Sequence, residues 1–303
     1  MKKKELKGVI CALATPLSSD GERIDEAGLR SHVDVMVDAG VHVILAVGGT
    51  GEFAVLSPTE RRRVIESVVK QTAGRAHVLA QTSAISTTDA IECAKHAESV
   101  GADSLMILPP YFEGPTMEGT IRFYERIAKS VRIPIMCYNI PQHTGIDITP
   151  DIYARLLEID GITSIKDSTG NMMRIQELVA VGGDVFPGAD PLTPFCFMAG
   201  CKGVVWGGAN IAPRESVQLY DLIMAKRYAE ALKLWERLFP INLYLWRQKY
   251  NAAVKAATNL MGMKVGPCRQ PVLPLTATEM KDLKKALKPL GYNETARLRR
   301  AAE

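Results

Sequence analysis

Short apolar runs recur along the chain at Val9–Leu17, Val41–Gly49, His77–Thr82, Ser104–Pro110, Pro134–Ile140, Ile162–Ser168, Asp184–Asp190 and Gly203–Asn210. They are apolar almost throughout, a pattern that predicts strands buried on both faces, as in a parallel sheet. Between them stand helical signals. Ser57-Pro58-Thr59-Glu60 before Val64, Ile65, Val68 and Val69 is a capping box with proline at the first helical position, and Thr149-Pro150-Asp151 opens Ile152, Leu156 and Leu157 in the same way. Strands alternating with helices predict an α/β protein, and eight repeats close into a (β/α)8 TIM barrel. After Asn210 the strands stop. Pro213–Lys226, Tyr228–Phe239, Pro240–Met261 and Thr278–Leu287 read as helices, so the expected organisation is a barrel over 1–225 and a C-terminal helical extension over 226–303.

An open doubly wound sheet is the competing architecture, because Gly49-Thr50-Gly51-Glu52-Phe53-Ala54 satisfies a permissive dinucleotide-binding pattern after a strand. Two features exclude it. The next helix starts near Pro58, away from the glycines, and the strand ending at Thr82 carries no acidic residue for a ribose.

Composition narrows the classes further. The 303 residues are 47% apolar and 23% charged, ample for a core, and the net charge of +4 resides largely in Lys2-Lys3-Lys4 and Arg297–Arg300, read as solvated tails. No basic stripe with interleaved aromatics marks a nucleic-acid partner, and no run reaches the length of a membrane span. Lys2–Lys4 before Val9-Ile10-Cys11-Ala12-Leu13-Ala14 mimics a signal peptide, but the apolar run is too short for one. Cys11, Cys93, Cys137, Cys196, Cys201 and Cys268 are scattered without zinc spacing, which predicts no metal site, free thiols and a cytoplasmic location.

In a barrel the chemistry lies at the carboxyl ends of the strands. The second run ends in Gly48-Gly49-Thr50-Gly51, whose amides and Thr50 hydroxyl form a candidate carboxylate cradle, or else a plain βα turn. The fifth carries Tyr138, and the sixth carries Lys166 within β-branched surroundings. Desolvation disfavours an ammonium ion and favours the free amine that a Schiff-base nucleophile needs. A lone lysine there also has bland readings, snorkelling or pairing with Asp167, and Tyr138 alone reads as packing. Together they suit imine chemistry on a 2-oxo acid, with Lys166 as nucleophile, Tyr138 as proton shuttle and Gly49, Thr50 and Gly51 holding the carboxylate. Gly188, Gly207 and Gly208 follow the seventh and eighth strands, where barrels often hold phosphate, but no cation accompanies them and Lys202 and Arg214 lie off the loop tips.

With these residues in hand the chain resembles the dihydrodipicolinate synthase and N-acetylneuraminate lyase family over nearly its whole length. The resemblance rests on Gly49-Thr50-Gly51-Glu52, Tyr138-Asn139-Ile140-Pro141 and Ile165-Lys166-Asp167-Ser168-Thr169-Gly170, with Tyr138 and Lys166 in the family's order and spacing. It implies a lyase that forms an imine between Lys166 and pyruvate or another 2-oxo acid, without metal or nucleotide cofactor. It further implies Val205 against the substrate and a homotetramer built as a dimer of dimers.

Three departures bear on the second substrate. Gly49 stands where the family has a hydroxyl residue, Phe112 where it has a tyrosine reaching in from a neighbouring subunit, and His143 where it has an arginine that clamps a carboxylate. A neutral imidazole makes no bidentate fork. The expectation is therefore an aldolase or dehydratase for a hydroxylated 2-oxo acid such as a 2-keto-3-deoxy sugar acid. His143, Gln142, Asp190, Asn210 and Ser168 are candidates to meet its hydroxyls, although Gln142 and Asp190 also read as solvated loop residues and Asn210 as a helix cap. Two alternatives stay open: a 4-hydroxy-tetrahydrodipicolinate synthase condensing pyruvate with aspartate semialdehyde, and a non-catalytic 2-oxo acid binding protein.

Overall fold

Alternate residues of each strand enter different cores, and this period of two builds the architecture. A computed structural model describes residues 5–112 and 114–293, so the basic clusters at Lys2–Lys4 and Arg297–Arg300 lie outside the described residues. The strands are β1 (Gly8–Ala12), β2 (Val43–Ala46), β3 (His77–Gln81), β4 (Ser104–Ile107), β5 (Ile135–Asn139), β6 (Ile162–Asp167), β7 (Asp184–Pro187) and β8 (Gly203–Trp206). All neighbours pair in parallel, in the order β7-β6-β5-β4-β3-β2-β1-β8. The remaining seam, between β7 and β8, is bridged where the Lys202 amide donates to the Val185 carbonyl at 3.2 Å. The chain is thus a (β/α)8 TIM barrel with a C-terminal helical extension.

Ile10, Ala12, Val43, Leu45, Leu79, Met106, Met136, Phe186 and Val205 fill the barrel interior. Val9, Cys11, Ile44, Ala46, Val78, Ile107, Cys137 and Ile165 face the helices instead. Since Ile165 points outward, Lys166 points into the barrel. The helices are α1 (Glu26–Asp38), α2 (Pro58–Thr72), α3 (Thr87–Ser99), α4 (Met117–Ala128), α5 (Pro141–Thr144), α6 (Pro150–Leu157), α7 (Met172–Val181), α8 (Thr193–Met198), α9 (Pro213–Met224), α10 (Tyr228–Arg247), α11 (Tyr250–Leu260) and α12 (Ala277–Leu287). The capping box before α2 is present, with Ser57 and Glu60 each accepting the other's backbone N–H.

One expected boundary is wrong. The helix that should end at Phe239 runs on through Pro240 to Arg247, because Leu234, Trp235, Leu238, Ile241 and Leu245 keep one buried face across the proline. The carbonyl left without a donor belongs to exposed Glu236, where water can serve it. The break comes instead at Gln248-Lys249, and that shift brings the start of α11 to the mouth of the barrel. Among the described residues no helix is long and apolar enough to cross a membrane.

Candidate active site

The mouth of the barrel encloses a cavity of about 740 Å³ with Ala12, Leu108 and Val205 at its apolar base and Thr50, Tyr138, Lys166 and Ser168 among its polar walls. Lys166 and Tyr138 are partners in the β5–β6 register, so their side chains leave adjacent strands on the same face. The ammonium lies 3.9 Å from the centre of the Tyr138 ring. Lys166 is only 7% exposed, yet it has no carboxylate partner within ion-pairing distance among the described residues.

The bland pairing with Asp167 fails for a structural reason. The Asp167 carboxylate faces away and accepts from Asn139 Nδ2 at 2.9 Å and from the Thr169 amide at 3.0 Å. Asn139 also donates to Asp147 and accepts from the Ile148 amide, so it fixes the turn that follows Tyr138. Gly188 is the other condition for Lys166. A Cβ at that position would come within 2.6 Å of Lys166 Cε and would strike the Ser168 hydroxyl as well.

Gly49 and Thr50 line the cavity, and the Gly49 carbonyl is held by Asn251 Nδ2 at 2.9 Å. Gly51 does not line it; a Cβ there would come within 3.1 Å of the backbone of Gly48, Leu13 and Val47, and its carbonyl accepts from the Thr15 hydroxyl. The turn is bracketed by two non-glycine residues in the left-handed region, Val47 at φ 58° and Glu52 at φ 62°. A β-branched residue there is strained, and tertiary contacts must hold it.

The other expected residues divide. His143, Gln142 and Ser168 line the cavity, with Gln142 donating to the Ser168 carbonyl at 2.8 Å. Val205 lies at the base. Asn210 is not a helix cap: fully buried, it donates to the Ala12 and Gly207 carbonyls, accepts from the Ala14 amide and meets His32 Nε2 at 2.9 Å. Asp190 is not a solvated loop residue either. It is 1% exposed, takes the Tyr250 hydroxyl at 2.9 Å from both carboxylate oxygens and accepts from the Gly208 amide at 3.1 Å. Burial pushes its pKa up to about 7, against the pull of Tyr250, Gly208 and Lys166. That bond also removes the Gly208 amide from any phosphate, while Lys202 is paired with Glu5.

Local sequence signals missed the contribution of the extension. Trp246, Gln248, Lys249, Tyr250 and Asn251 all line the cavity, although they lie in a stretch that reads as mid-helix. Tyr111 also lines it and meets Phe53 edge to face. Phe112, by contrast, is 68% exposed. Among the described residues no arginine lines the cavity, and the nearby Arg174 is held in a two-pronged pair by Asp147. Nor do the described residues include a cluster of histidine, cysteine and carboxylate groups fit for a metal.

The model of the dihydrodipicolinate synthetase family matches residues 5–290. The 4-hydroxy-tetrahydrodipicolinate synthase of Methanococcus maripaludis is 36% identical over 288 residues, covering 94% of this chain and 99% of that protein. The enzyme of the same name from Syntrophobacter fumaroxidans is 37% identical over 289 residues, with the same coverage of 94% and 99%. Among solved structures, the chloride-inhibited dihydrodipicolinate synthase from Acinetobacter baumannii, complexed with pyruvate, superposes with a TM-score of 0.91 at 34% identity, covering 95% of this chain and all of that one.

Proposed function

Because the chain belongs to the dihydrodipicolinate synthetase family, whose members are Schiff-base lyases acting on pyruvate-type acids, we propose that it forms an imine between Lys166 and a hydroxylated 2-oxo acid and carries out aldol cleavage or dehydration on it. The observation that carries this reading is Lys166 itself, a buried amine with no ion pair among the described residues, directed into the cavity against the Tyr138 ring at 3.9 Å.

Lys166 Nζ adds to the C2 carbonyl, and the carbinolamine loses water to give the imine. Tyr138 carries protons to and from the departing oxygen. The protonated imine then accepts the electron pair released when C3 loses a proton or the C3–C4 bond breaks. Thr50 and the Gly49 turn hold the substrate carboxylate, and Val205 packs against its chain. The imine itself supplies the electron sink, so the route asks for no metal or nucleotide.

Choice of the second half of the substrate follows from the cavity wall. Gln142, Ser168, Gln248 and Asn251 offer uncharged hydrogen-bonding groups suited to hydroxyls beside the His143 imidazole; Lys249, the cation on the wall, is paired with Glu279, and among the described residues no guanidinium lines the cavity to fork a second carboxylate. Condensation of pyruvate with aspartate semialdehyde is the second reading, favoured by the names of the relatives at 36 and 37% identity. The exposed Phe112 ring suits an interface between copies, consistent with the family tetramer, and six free cysteines suit a reducing cytoplasm.

Intact-protein mass spectrometry after pyruvate and borohydride tests the imine. A single reduced adduct, absent from Lys166→Ala, is the expected result; labelling of the variant at the wild-type rate rejects Lys166. Turnover of 2-keto-3-deoxygluconate rather than aspartate semialdehyde decides between the two substrates.

A further inference from the structure

Two phenols, Tyr138 and Tyr250, line the cavity that holds Lys166. Tyr138 approaches from β5, the strand before β6, while Tyr250 reaches over from α11 to the loops that follow β7 and β8. The Tyr250 side chain lines the same cavity. Its hydroxyl packs on Gly207 so closely that a Cβ at that residue would collide with it. Behind it lies Asp190, equidistant at 2.9 Å through both oxygens, fully buried and without a cation in hydrogen-bond contact.

A buried carboxyl beside an imine-forming amine is costly unless it has a role. The charged and titratable groups that face it are Tyr250 and, at longer range, Lys166; Tyr250 in turn faces Asp190 and Tyr138. A phenol has one proton. When Asp190 is ionised, Tyr250 must donate to it; when Asp190 is protonated, the acid donates to the phenol oxygen and the Tyr250 proton turns toward the cavity.

We propose that Tyr250 is a second proton-transfer residue of this pocket, serving the oxygen on C4 of the substrate, with Asp190 as its positioning and relay partner. The proposal rests on the reading that Lys166 carries the imine, and it divides the acid–base work. Tyr138 serves the oxygen lost from C2. Tyr250 serves the oxygen on C4, which departs as water in a dehydration and becomes an aldehyde in a cleavage. For dehydration, C3 first gives a proton to the Tyr138 phenolate left by imine formation, yielding an enamine; its electrons then form the C3–C4 double bond and restore the imine as the C4–O bond breaks, its electron pair taking the Tyr250 proton so that water departs. The Asp190 proton moves to the phenol oxygen, and the carboxylate is reprotonated from solvent after product leaves. In cleavage the same protons run backward: the C4 hydroxyl gives its proton to Tyr250, which passes its own to an ionised Asp190 while the C3–C4 electrons enter the imine.

Tyr250→Phe and Asp190→Asn separate this role from the imine step. Borohydride trapping of pyruvate and exchange of the pyruvate methyl protons in deuterium oxide need only Lys166 and Tyr138, and both should stay within about twofold of wild type in Tyr250→Phe. Turnover of the substrate that the wild type accepts, 2-keto-3-deoxygluconate or aspartate semialdehyde, should fall about a hundredfold. Wild-type turnover should carry a pH limb near 7 that Asp190→Asn, which keeps the shape of the side chain and one oxygen to accept from the Gly208 amide, lacks. Full turnover by Tyr250→Phe overturns the proposal, as does a loss of trapping as large as the loss of turnover. A wild type that forms no adduct at all overturns the imine reading first, and this proposal with it.

Discussion

Lys255 on α11 closes an ion pair of 2.5 Å with Glu52, both side chains essentially inaccessible at 2% and 1%. Glu52 is the last residue of the turn that carries Gly49 and Thr50, and the same carboxylate accepts from the Arg269 amide at 2.8 Å, while Lys255 also donates to the Pro267 carbonyl. The extension therefore grips the Gly49–Glu52 turn at two points, here and through Asn251 to Gly49. Burial lowers the Lys255 pKa while Glu52 opposes it. Lys255→Met strands the Glu52 charge, and removal of one partner of a buried pair costs about 3–5 kcal/mol. Urea unfolding should read that loss, and Glu52→Gln combined with Lys255→Met should recover much of it. A loss below about 1 kcal/mol means that the pair is hydrated in solution.

Tyr138→Phe should bind pyruvate nearly as well as wild type and turn over about a hundredfold more slowly. Steady-state kinetics with KM and kcat separated make the comparison. Unchanged kcat removes the Tyr138 hydroxyl from the mechanism.

Gly188→Ala tests the packing around the amine. Its Cβ would come within 2.6 Å of Lys166 Cε, displacing the nucleophile without touching the strands of the core. Borohydride trapping should slow at least tenfold while the melting temperature changes little. Trapping at the wild-type rate shows that Lys166 has room to move aside.

His143→Arg should raise kcat/KM for aspartate semialdehyde. A bond to a charged group contributes about 1.5–3 kcal/mol, or roughly tenfold to a hundredfold. Gly49→Thr is a natural companion, since nothing lies within 4 Å of a Cβ built there. No gain from the pair means that the missing clamp is not what sets the choice of second substrate.

His32 makes stability fall on the acid side. Burial lowers its pKa from 6.5 to about 4, opposed by the bond to Asn210, and its Nδ1 has no partner among the described residues. Between these values the unfolded chain binds a proton that the folded protein refuses, so acidification from about 6.5 to about 4 removes on the order of 3 kcal/mol, with no further loss below. Asp190, raised from 3.8 to about 7, acts in the opposite sense over all of that range. The measure is therefore the difference between wild type and His32→Gln in chemical denaturation, which should narrow as pH falls; a constant difference refutes it.

Apolar runs, the caps before α2 and the spacing of Tyr138 and Lys166 determine, from sequence alone, an eight-stranded barrel with a tyrosine and a lysine side by side at its mouth, because these depend on periodicity within single elements and on neighbouring strands. The departures at Gly49, Phe112 and His143 were equally legible. Only the tertiary structure decided that Tyr250 and Asn251 join the site, since the Gly49–Asn251 bond spans 202 residues and depends on how the extension folds back. It likewise decided that α10 passes through Pro240 and breaks at Gln248, because continued burial of one helix face outweighs a lost bond on the exposed side. Asp190 looked like a loop residue for the same reason: its burial comes from Tyr250, 60 residues away, and no local pattern records that contact.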